Sequence, residues 1–418
     1  MSGRTYDIVG IGFGPSGLAL AIAREEYGHA AASAVFVEAR KRFAWHPGMM
    51  VEGATMQVPF PKDLVTLRNP SSPYSFFSYL HEHGRLVDFV NRQTFFCSRR
   101  EFADYLAWAA ARVDTPVHYG TRAVAVRATA GGAELEVELS TGERLVARNV
   151  VVSAGLRPAL PEGVVETSRR FHNNALLPRL AELPRPRHRR FVVLGAGQSA
   201  AECVRHLHRI HPDAEVHSVI SRYGYLPADD SPFANRVFDP LAVDEFHAAP
   251  ESERRRLLAA HRSTNYSCVD PDLLRELYDI EYEERVSGRR RLFVRRASAL
   301  ESAVETADGV RAILADRLTG AVDALDCDAV IYATGFRPAD LRPLFGDLIA
   351  EYTPDGQAAT IARDYRVRTT AAVTAGIYVQ GGCEHTHGLS SSLLSNVAVR
   401  AGEILDSVLA RRSVAVGR

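Results

Sequence analysis

The stretch Tyr6-Asp7-Ile8-Val9-Gly10-Ile11-Gly12-Phe13-Gly14-Pro15-Ser16-Gly17-Leu18-Ala19-Leu20 decides the fold. The apolar run Ile8 to Ile11 reads as a buried parallel strand, Gly12-x-Gly14-x-x-Gly17 as a turn, and Leu18 to Glu26 as the helix that follows. Each glycine has a physical task. Gly12 permits the tight turn, Gly14 lets backbone N–H groups approach a pyrophosphate, and Gly17 lets helix and strand pack closely, with the anion at the positive helix end. A second strand, Ala34-Val35-Phe36-Val37, ends in Glu38, 21 residues beyond Gly17, where a carboxylate suits a ribose diol. Strand, turn, helix and acid together specify a dinucleotide site rather than a glycine-rich structural turn.

The pattern recurs. Phe191-Val192-Val193-Leu194 is a buried strand, Gly195-x-Gly197-x-x-Ala200 a turn in which alanine takes the third position, and Ala200 to Ile210 a helix. The next strand, Glu215 to Ile220, ends in Ser221-Arg222 where the first unit has Glu38. An acid repels a 2′-phosphate and an arginine grips it bidentately, so FAD is expected at the first loop and NADPH at the second. Cys327 to Phe336 reads as a strand ending on Thr334-Gly335, with the glycine approaching a cofactor, and echoes Val150 to Gly155. The fold class is therefore α/β with two Rossmann-like dinucleotide-binding domains. The expected division is 1–160 with 331–418 for FAD, 161–229 with 277–330 for NADPH, and 230–276 as a small inserted substrate-binding segment.

Composition narrows the partners. The 418 residues carry 50 basic and 50 acidic side chains, so no net field favours nucleic acid or an anionic membrane, and a small molecule is expected. Five cysteines stand far apart without a C-x-x-C pair, against a disulfide framework, a zinc site or a redox dithiol. A dinucleotide loop so near the start leaves no room for a signal peptide, and no apolar run is long enough to cross a bilayer, so a cytoplasmic protein is expected. Only Lys41 and Lys62 are lysine, the other 48 of the 50 cations being arginine. A compact ammonium kept at two places hints at a task that arginine does not perform.

Residues 39–100 break the α/β rhythm with Trp45-His46-Pro47-Gly48-Met49-Met50 and Met56-Gln57-Val58-Pro59-Phe60-Pro61-Lys62-Asp63, and are read as cofactor and substrate lining. Helices are expected over Ser75 to Gly84 and Arg99 to Val113, and a β-meander from Val117 to Val152 that feeds back into the sheet. Leu183 to Arg190, rich in proline and arginine, reads as the clearest linker. Residues 223–276 again leave the rhythm, at the carboxyl edge of the second sheet where ligands bind. Strand-like pieces at Arg291 to Val294 and Val310 to Ala315 follow, and Gly388 to Leu409 is expected as an amphipathic helix after a turn.

Several ordered segments resemble the N-hydroxylating flavin monooxygenases, nearest the L-ornithine N5-monooxygenases of siderophore biosynthesis, with the lysine N6-hydroxylases as relatives. They are Gly12 to Ser16, Met56-Gln57 through Lys62-Asp63-Leu64-Val65, Arg68-Asn69-Pro70, Gly195-Ala196-Gly197-Gln198-Ser199-Ala200, Asp230-Ser231-Pro232-Phe233-Ala234-Asn235, Thr264-Asn265-Tyr266, Ala333-Thr334-Gly335-Phe336 and His387-Gly388-Leu389-Ser390. The resemblance implies a class B fold, with FAD and NADPH as cofactors and Gly12, Gly14, Pro15, Ser16, Gly17 and Glu38 at the first nucleotide. Gly195, Gly197, Gln198, Ser199 and Arg222 would hold the second, Trp45, His46, Met56 and Gln57 would line the flavin, and Thr334 and Gly335 would lie at a cofactor. Lys62, assisted by Asn235, would pair with a substrate carboxylate. Asn265 and Ser390 would surround the side-chain amine, with Asn265, Gln57 and Ser390 the residues nearest the chemistry. An uncharged amine would take oxygen from a C4a-hydroperoxyflavin, with O2 as co-substrate.

Arg236 stands where that family usually has Glu, and Ser391-Ser392 replaces Asp-Thr, so lysine, a putrescine-type diamine and aspartate stay open as substrates beside ornithine. The rival readings are a flavin monooxygenase acting on carbonyl or sulfur, a two-dinucleotide disulfide reductase, which needs a cysteine pair this sequence lacks, and a non-enzymatic flavin redox sensor. His385-Thr386-His387 without further ligands argues against a metal, and Ser390 lacks the G-x-S-x-G turn of a hydrolase. A homo-oligomer, dimer or tetramer, is expected.

Overall fold

The structure, a computed structural model, describes residues 4–28, 32–183, 187–353, 356 and 358–416, without the side chains of residues 263, 265 and 413–416. Its first sheet runs, edge to edge, Val117–Tyr119, Ala34–Glu38, Thr5–Ile11, Arg144–Val152, Leu135–Leu139 and Ala123–Ala128. The expected meander is the last three of these. Arg144–Val152, parallel to Thr5–Ile11 on one edge, is long enough to serve two neighbours on the other: its first half pairs antiparallel with Leu135–Leu139, and its second half pairs parallel with Gly376–Val379. Strand Thr5–Ile11 is fully covered from Asp7 onward, which is why its sequence is a continuous apolar run instead of an alternating one.

The second sheet is all parallel, in the order Leu292–Arg295, Glu215–Val219, Arg190–Leu194, Ala329–Tyr332 and Arg170–His172. Each unit therefore places its glycine-loop strand between its second strand and a late-returning one. The expected boundary at 331 falls inside Ala329–Tyr332, a strand that pairs along its whole length with Arg190–Leu194 and lies within the second sheet. Of the two strand-like pieces, only Leu292–Arg295 joins that sheet. Val310–Asp316 is the centre of a separate antiparallel sheet between Ser298–Glu305 and Val322–Cys327.

The chain crosses between the units twice, and the crossings pair with each other: Leu156–Pro158 runs antiparallel to Phe336–Pro338. The linker expected at Leu183 to Arg190 is not such a crossing. It joins Leu176–Glu182 to Arg190–Leu194 within the second unit; residues 184–186 lie outside the described residues. Beyond them the backbone N–H groups of Arg187, His188 and Arg190 donate to the buried carboxylate of Asp328, which pins the segment.

Helices Phe76–Glu82 and Arg99–Arg112 form where helical spacing predicts them, each started by a serine whose hydroxyl accepts a first-turn N–H: Ser75 from Ser78, Ser98 from Glu101. The C-terminal helix begins later than expected, at Val397; the preceding Leu389–Ser392 and Leu394–Asn396 are 3-10 turns that bury Ser390, Ser391, Ser395 and Asn396. The insertion 39–100 joins two interiors. Met49, Val51 and Ala54 pack with Phe171, Leu176 and Phe191 of the second unit, whereas Met56, Phe60, Leu64 and Val65 pack with Phe76, Phe102 and Tyr105 of the first.

Candidate active site

The two glycine loops are local copies. Gly12 donates its N–H to Val37 O at 2.8 Å, and Gly195 donates to Val219 O at 3.1 Å. Ser153 donates to Ile11 O at 2.7 Å, and Ala333 to Leu194 O at 2.8 Å. Both first glycines are in conformations that L side chains rarely adopt, φ +96° and +142°, and a Cβ would lie 2.4 Å from Ser153 O in one and 2.2 Å from Ala333 O in the other. At Gly17 a Cβ would meet Gly12 O at 2.4 Å, the close helix-strand approach its position demands.

The loops fit the nucleotides expected of them. No side chain caps the helices that start after Gly14 and Gly197, which leaves first-turn N–H groups, from Ser16 onward in the first helix, available to an anion. A Cβ on Gly14 would meet nothing within 4 Å, so the space above it is open. Glu38 folds over the first loop, accepting Phe13 N–H on Oε2 and Arg40 N–H on Oε1, both at 2.8 Å. Arg222, half-buried, donates Nη1 to Ser267 O at 3.1 Å, and Ser267 sits at φ +57° with its Cα 3.5 Å from where a Gly197 Cβ would be. Gln198 accepts Asp270 N–H, and Ser199 is half-buried on the first helical turn.

The residues expected to line the flavin have the following contacts. Trp45 packs its ring edge-on to Phe102 at 5.8 Å and to His46 at 4.9 Å, and His46 faces Phe336 at 6.5 Å. His46 keeps exposed surface, yet the protein packed round its ring desolvates it; that desolvation, with the charges of Arg99 and Arg40, pushes it down to about 4, so it is neutral near pH 7. Met56 is buried and tied through its N–H to Cys97 O, and Gln57 is exposed. Thr334 and Gly335 are held at the crossing: the Thr334 hydroxyl donates to Ala159 O at 2.6 Å, and Gly335 O accepts Ala159 N–H at 2.9 Å. Beside them a narrow cavity lined by Ala154, Gly155, Pro338, Gly381 and Gly382 opens where Arg144–Val152 and Gly376–Val379 end.

Lys62 is half-buried with its Nζ over the Phe238 ring, 5.7 Å from the centroid. Among the described residues no carboxylate forms an ion pair with it. Burial lowers its pKa from the ordinary lysine range, and the charge of Asp239 opposes that less strongly. The next residue, not singled out from sequence, builds the loop: Asp63 accepts Val65 N–H and Thr66 N–H on Oδ1, and Thr66 Oγ1–H and Phe76 N–H on Oδ2, at 2.7–2.9 Å. Phe238 belongs to the 3-10 turn Ala234–Phe238, which also carries Asn235 and packs on the turn Leu389–Ser392 that carries Ser390.

Lys62, Asn235 and Ser390 are thus brought to one region. Asn235 uses one amide N–H on Asp230 O at 2.8 Å. Ser390 is 1% exposed, and its turn is held by a second residue that sequence reasoning missed. Arg400, 2% exposed on the C-terminal helix, donates to the carbonyls of Ser390, Ser391 and Leu393 at 2.7–3.4 Å. The Asn265 side chain lies outside the described residues. Its neighbour Tyr266 donates to the Glu384 carboxylate, whose pKa burial raises, and so ties the inserted segment to the first unit.

The departures at 236, 391 and 392 have these surroundings. Arg236 is exposed and stacks over Phe233 at 5.9 Å, Ser392 Oγ accepts Gly382 N–H at 3.1 Å, and Ser391 is buried in its own turn. His385 and His387 bond the carbonyls of Ala359 and Arg363. All five cysteines are buried and unpaired.

Two dinucleotide loops on two sheets, joined by a double crossing and with an insertion packed into both interiors, make a class B flavin monooxygenase fold. Residues 4–338 match the family described as L-lysine 6-monooxygenase/L-ornithine 5-monooxygenase, and the chain belongs to that family. The L-ornithine N(5)-monooxygenase of Pseudomonas aeruginosa is 38% identical over 417 residues, covering 96% of this chain and 93% of the relative. The solved ornithine N-hydroxylase of Kutzneria, with reduced FAD, NADP+ and L-ornithine, superposes with a TM-score of 0.94 at 43% identity, over 98% of this chain and 100% of that one. The L-lysine 6-monooxygenase of Pseudomonas syringae gives 0.85 at 35%, over 98% and 100%.

Proposed function

We propose that this protein is an FAD- and NADPH-dependent N-monooxygenase that hydroxylates the side-chain amine of L-ornithine at N5, a product used in hydroxamate siderophores or related compounds. The observation that carries the reading is the half-buried Lys62 ammonium, without a carboxylate partner among the described residues, beside the turns that bear Asn235 and Ser390. A desolvated cation of that kind favours an anionic guest, and the α-carboxylate of an amino acid supplies it.

With the carboxylate on Lys62 and on the second N–H of Asn235, the side chain of ornithine extends toward Ser390 and Asn265. Hydroxyl and amide groups there orient an amine without imposing a charge, and burial disfavours the ammonium form, which has no lone pair to donate. Gln57, Trp45, Met56 and neutral His46 position the flavin and exclude water. Bound FAD, reduced by NADPH, supplies activated oxygen derived from O2. Glu38 holds the FAD ribose, and Arg222 with Ser199 and Gln198 the NADPH end.

No helix among the described residues is long and apolar enough to cross a membrane, and cytoplasmic action as a dimer or tetramer completes the proposal. The test is to incubate the flavin-loaded protein with NADPH and ornithine, lysine, putrescine or aspartate, and to weigh hydroxylamine product against NADPH consumed. Tight coupling with ornithine alone supports the reading, and coupling with another amine replaces the substrate. Bound FAD with no NADPH consumption would leave the redox-sensor alternative.

A further inference from the structure

A buried carboxylate stands behind the second glycine loop. Glu202, near the start of helix Gln198–Ile210, is 1% exposed and accepts Nη1 and Nη2 of Arg99 in a bidentate pair, both bonds 2.7 Å long. Arg99 belongs to the other unit, at the first turn of Arg99–Arg112, and its Nη1 also donates to Met49 O at 3.0 Å. Gln198 extends the string, donating Nε2 to Glu202 Oε1 at 3.0 Å and accepting Asp270 N–H at 2.8 Å. Hydrogen bonds therefore run unbroken from the flavin-side insertion, across the boundary between the sheets and behind Gly195 to Gly197, to the N-cap of helix Pro271–Ser287. That end lies three residues beyond Ser267, the residue against Gly197 and Arg222.

We infer that Arg99 and Glu202 are positioning residues that set the register of the NADPH-binding loop against the flavin, and through it the rate of two-electron transfer from NADPH to FAD. Attachment alone does not need them. Met49, Val51 and Ala54 already bury apolar surface in the second core, and Arg209 pairs with Glu52 at the surface. A buried ion pair adds little net stability over an apolar pair of the same volume. Two parallel bonds from a planar guanidinium fix orientation as well as distance, which apolar packing leaves soft. Hydride transfer responds to that difference, since misplacement by about 1 Å costs on the order of 100-fold in rate.

The inference rests on the FAD and NADPH assignment but not on which amine is the substrate. The experiment is anaerobic stopped-flow reduction of the FAD-loaded protein by NADPH, without amine, for the parent, Glu202→Gln, Arg99→Lys and the apolar double variant Arg99→Met/Glu202→Met. The double variant avoids stranding one buried charge. Expected is a fall of about tenfold or more in the limiting reduction rate for Glu202→Gln and the double variant, partial recovery in Arg99→Lys, and unchanged reduction by dithionite. The result that overturns the inference is a limiting rate within about twofold of the parent, or a loss that follows bound FAD or folded fraction, the mark of a merely structural pair. A parent flavin that NADPH does not bleach would instead sink the cofactor assignment.

Discussion

Replacing Lys62 with methionine removes the ammonium while keeping an unbranched apolar side chain over Phe238. A hydrogen bond to a charged partner is worth about 1.5–3 kcal/mol. At about 1.4 kcal/mol per factor of ten, losing the carboxylate contact should weaken ornithine roughly 10- to 150-fold. Because the ammonium is half-buried and desolvated, the upper part of that range is expected. The loss should appear in KM, with NADPH-driven flavin reduction unaltered. Steady-state hydroxylamine formation with ornithine, set beside anaerobic flavin reduction by NADPH without amine, isolates the term: the ornithine KM should rise and the reduction rate stay within about twofold. If ornithine KM moves less than about threefold, or flavin reduction falls as much as ornithine turnover, the anchoring role of Lys62 is wrong.

The glycine loops should separate the two nucleotides. Gly12→Ala places a Cβ 2.4 Å from Ser153 O and should give colourless protein, whereas Gly195→Ala, at 2.2 Å from Ala333 O, should keep its flavin spectrum and lose NADPH oxidation. Arg222→Gln should raise the KM for NADPH about 10- to 100-fold and leave that for NADH nearly unchanged, consistent with loss of one charged bidentate contact; equal effects on both would remove the phosphate assignment. His387 is buried, stacks on Tyr365 at 4.2 Å, and is pushed down to about 3 chiefly by desolvation. The folded state then binds fewer protons than the unfolded chain, so this stability is complete above about pH 6.5 and is lost as pH falls toward 3, at about 1.4 kcal/mol per unit of depression. Denaturant titrations should be less acid-sensitive in His387→Phe than in the parent; an unchanged slope would contradict it.

What was legible in the chain was what local chemistry dictates. A Gly-x-Gly turn after an apolar run, an acid or an arginine at the end of the next strand, and a serine before a helix each act within a few residues. Less was legible where the partner lies far away in sequence. Asp328 pins residues 187, 188 and 190, so a proline- and arginine-rich stretch that reads as a free connector is held in place. The pairing of Leu156–Pro158 with Phe336–Pro338 joins segments nearly the length of a domain apart, and neither three-residue piece carries a β-pattern long enough to notice. Ser298–Glu305 has half its residues exposed and four polar or charged ones, which hides a strand from hydropathy. Asp63, Arg400 and Glu202 looked like ordinary charged residues. Their roles come from burial against backbone or across the unit boundary, and no spacing rule encodes that.

The insertion between residues 39 and 100 has a consequence for how this chain can be taken apart. Met49, Val51 and Ala54 fill space beside Phe171, Leu176 and Phe191, so the nicotinamide half borrows part of its interior from a stretch encoded well upstream of it. Excised as residues 161–330, that half would open a hole lined by aromatic and aliphatic surface and should be sticky and poorly folded. A chimera that exchanges cofactor halves between two relatives must carry the loop 46–54 along with the module it completes.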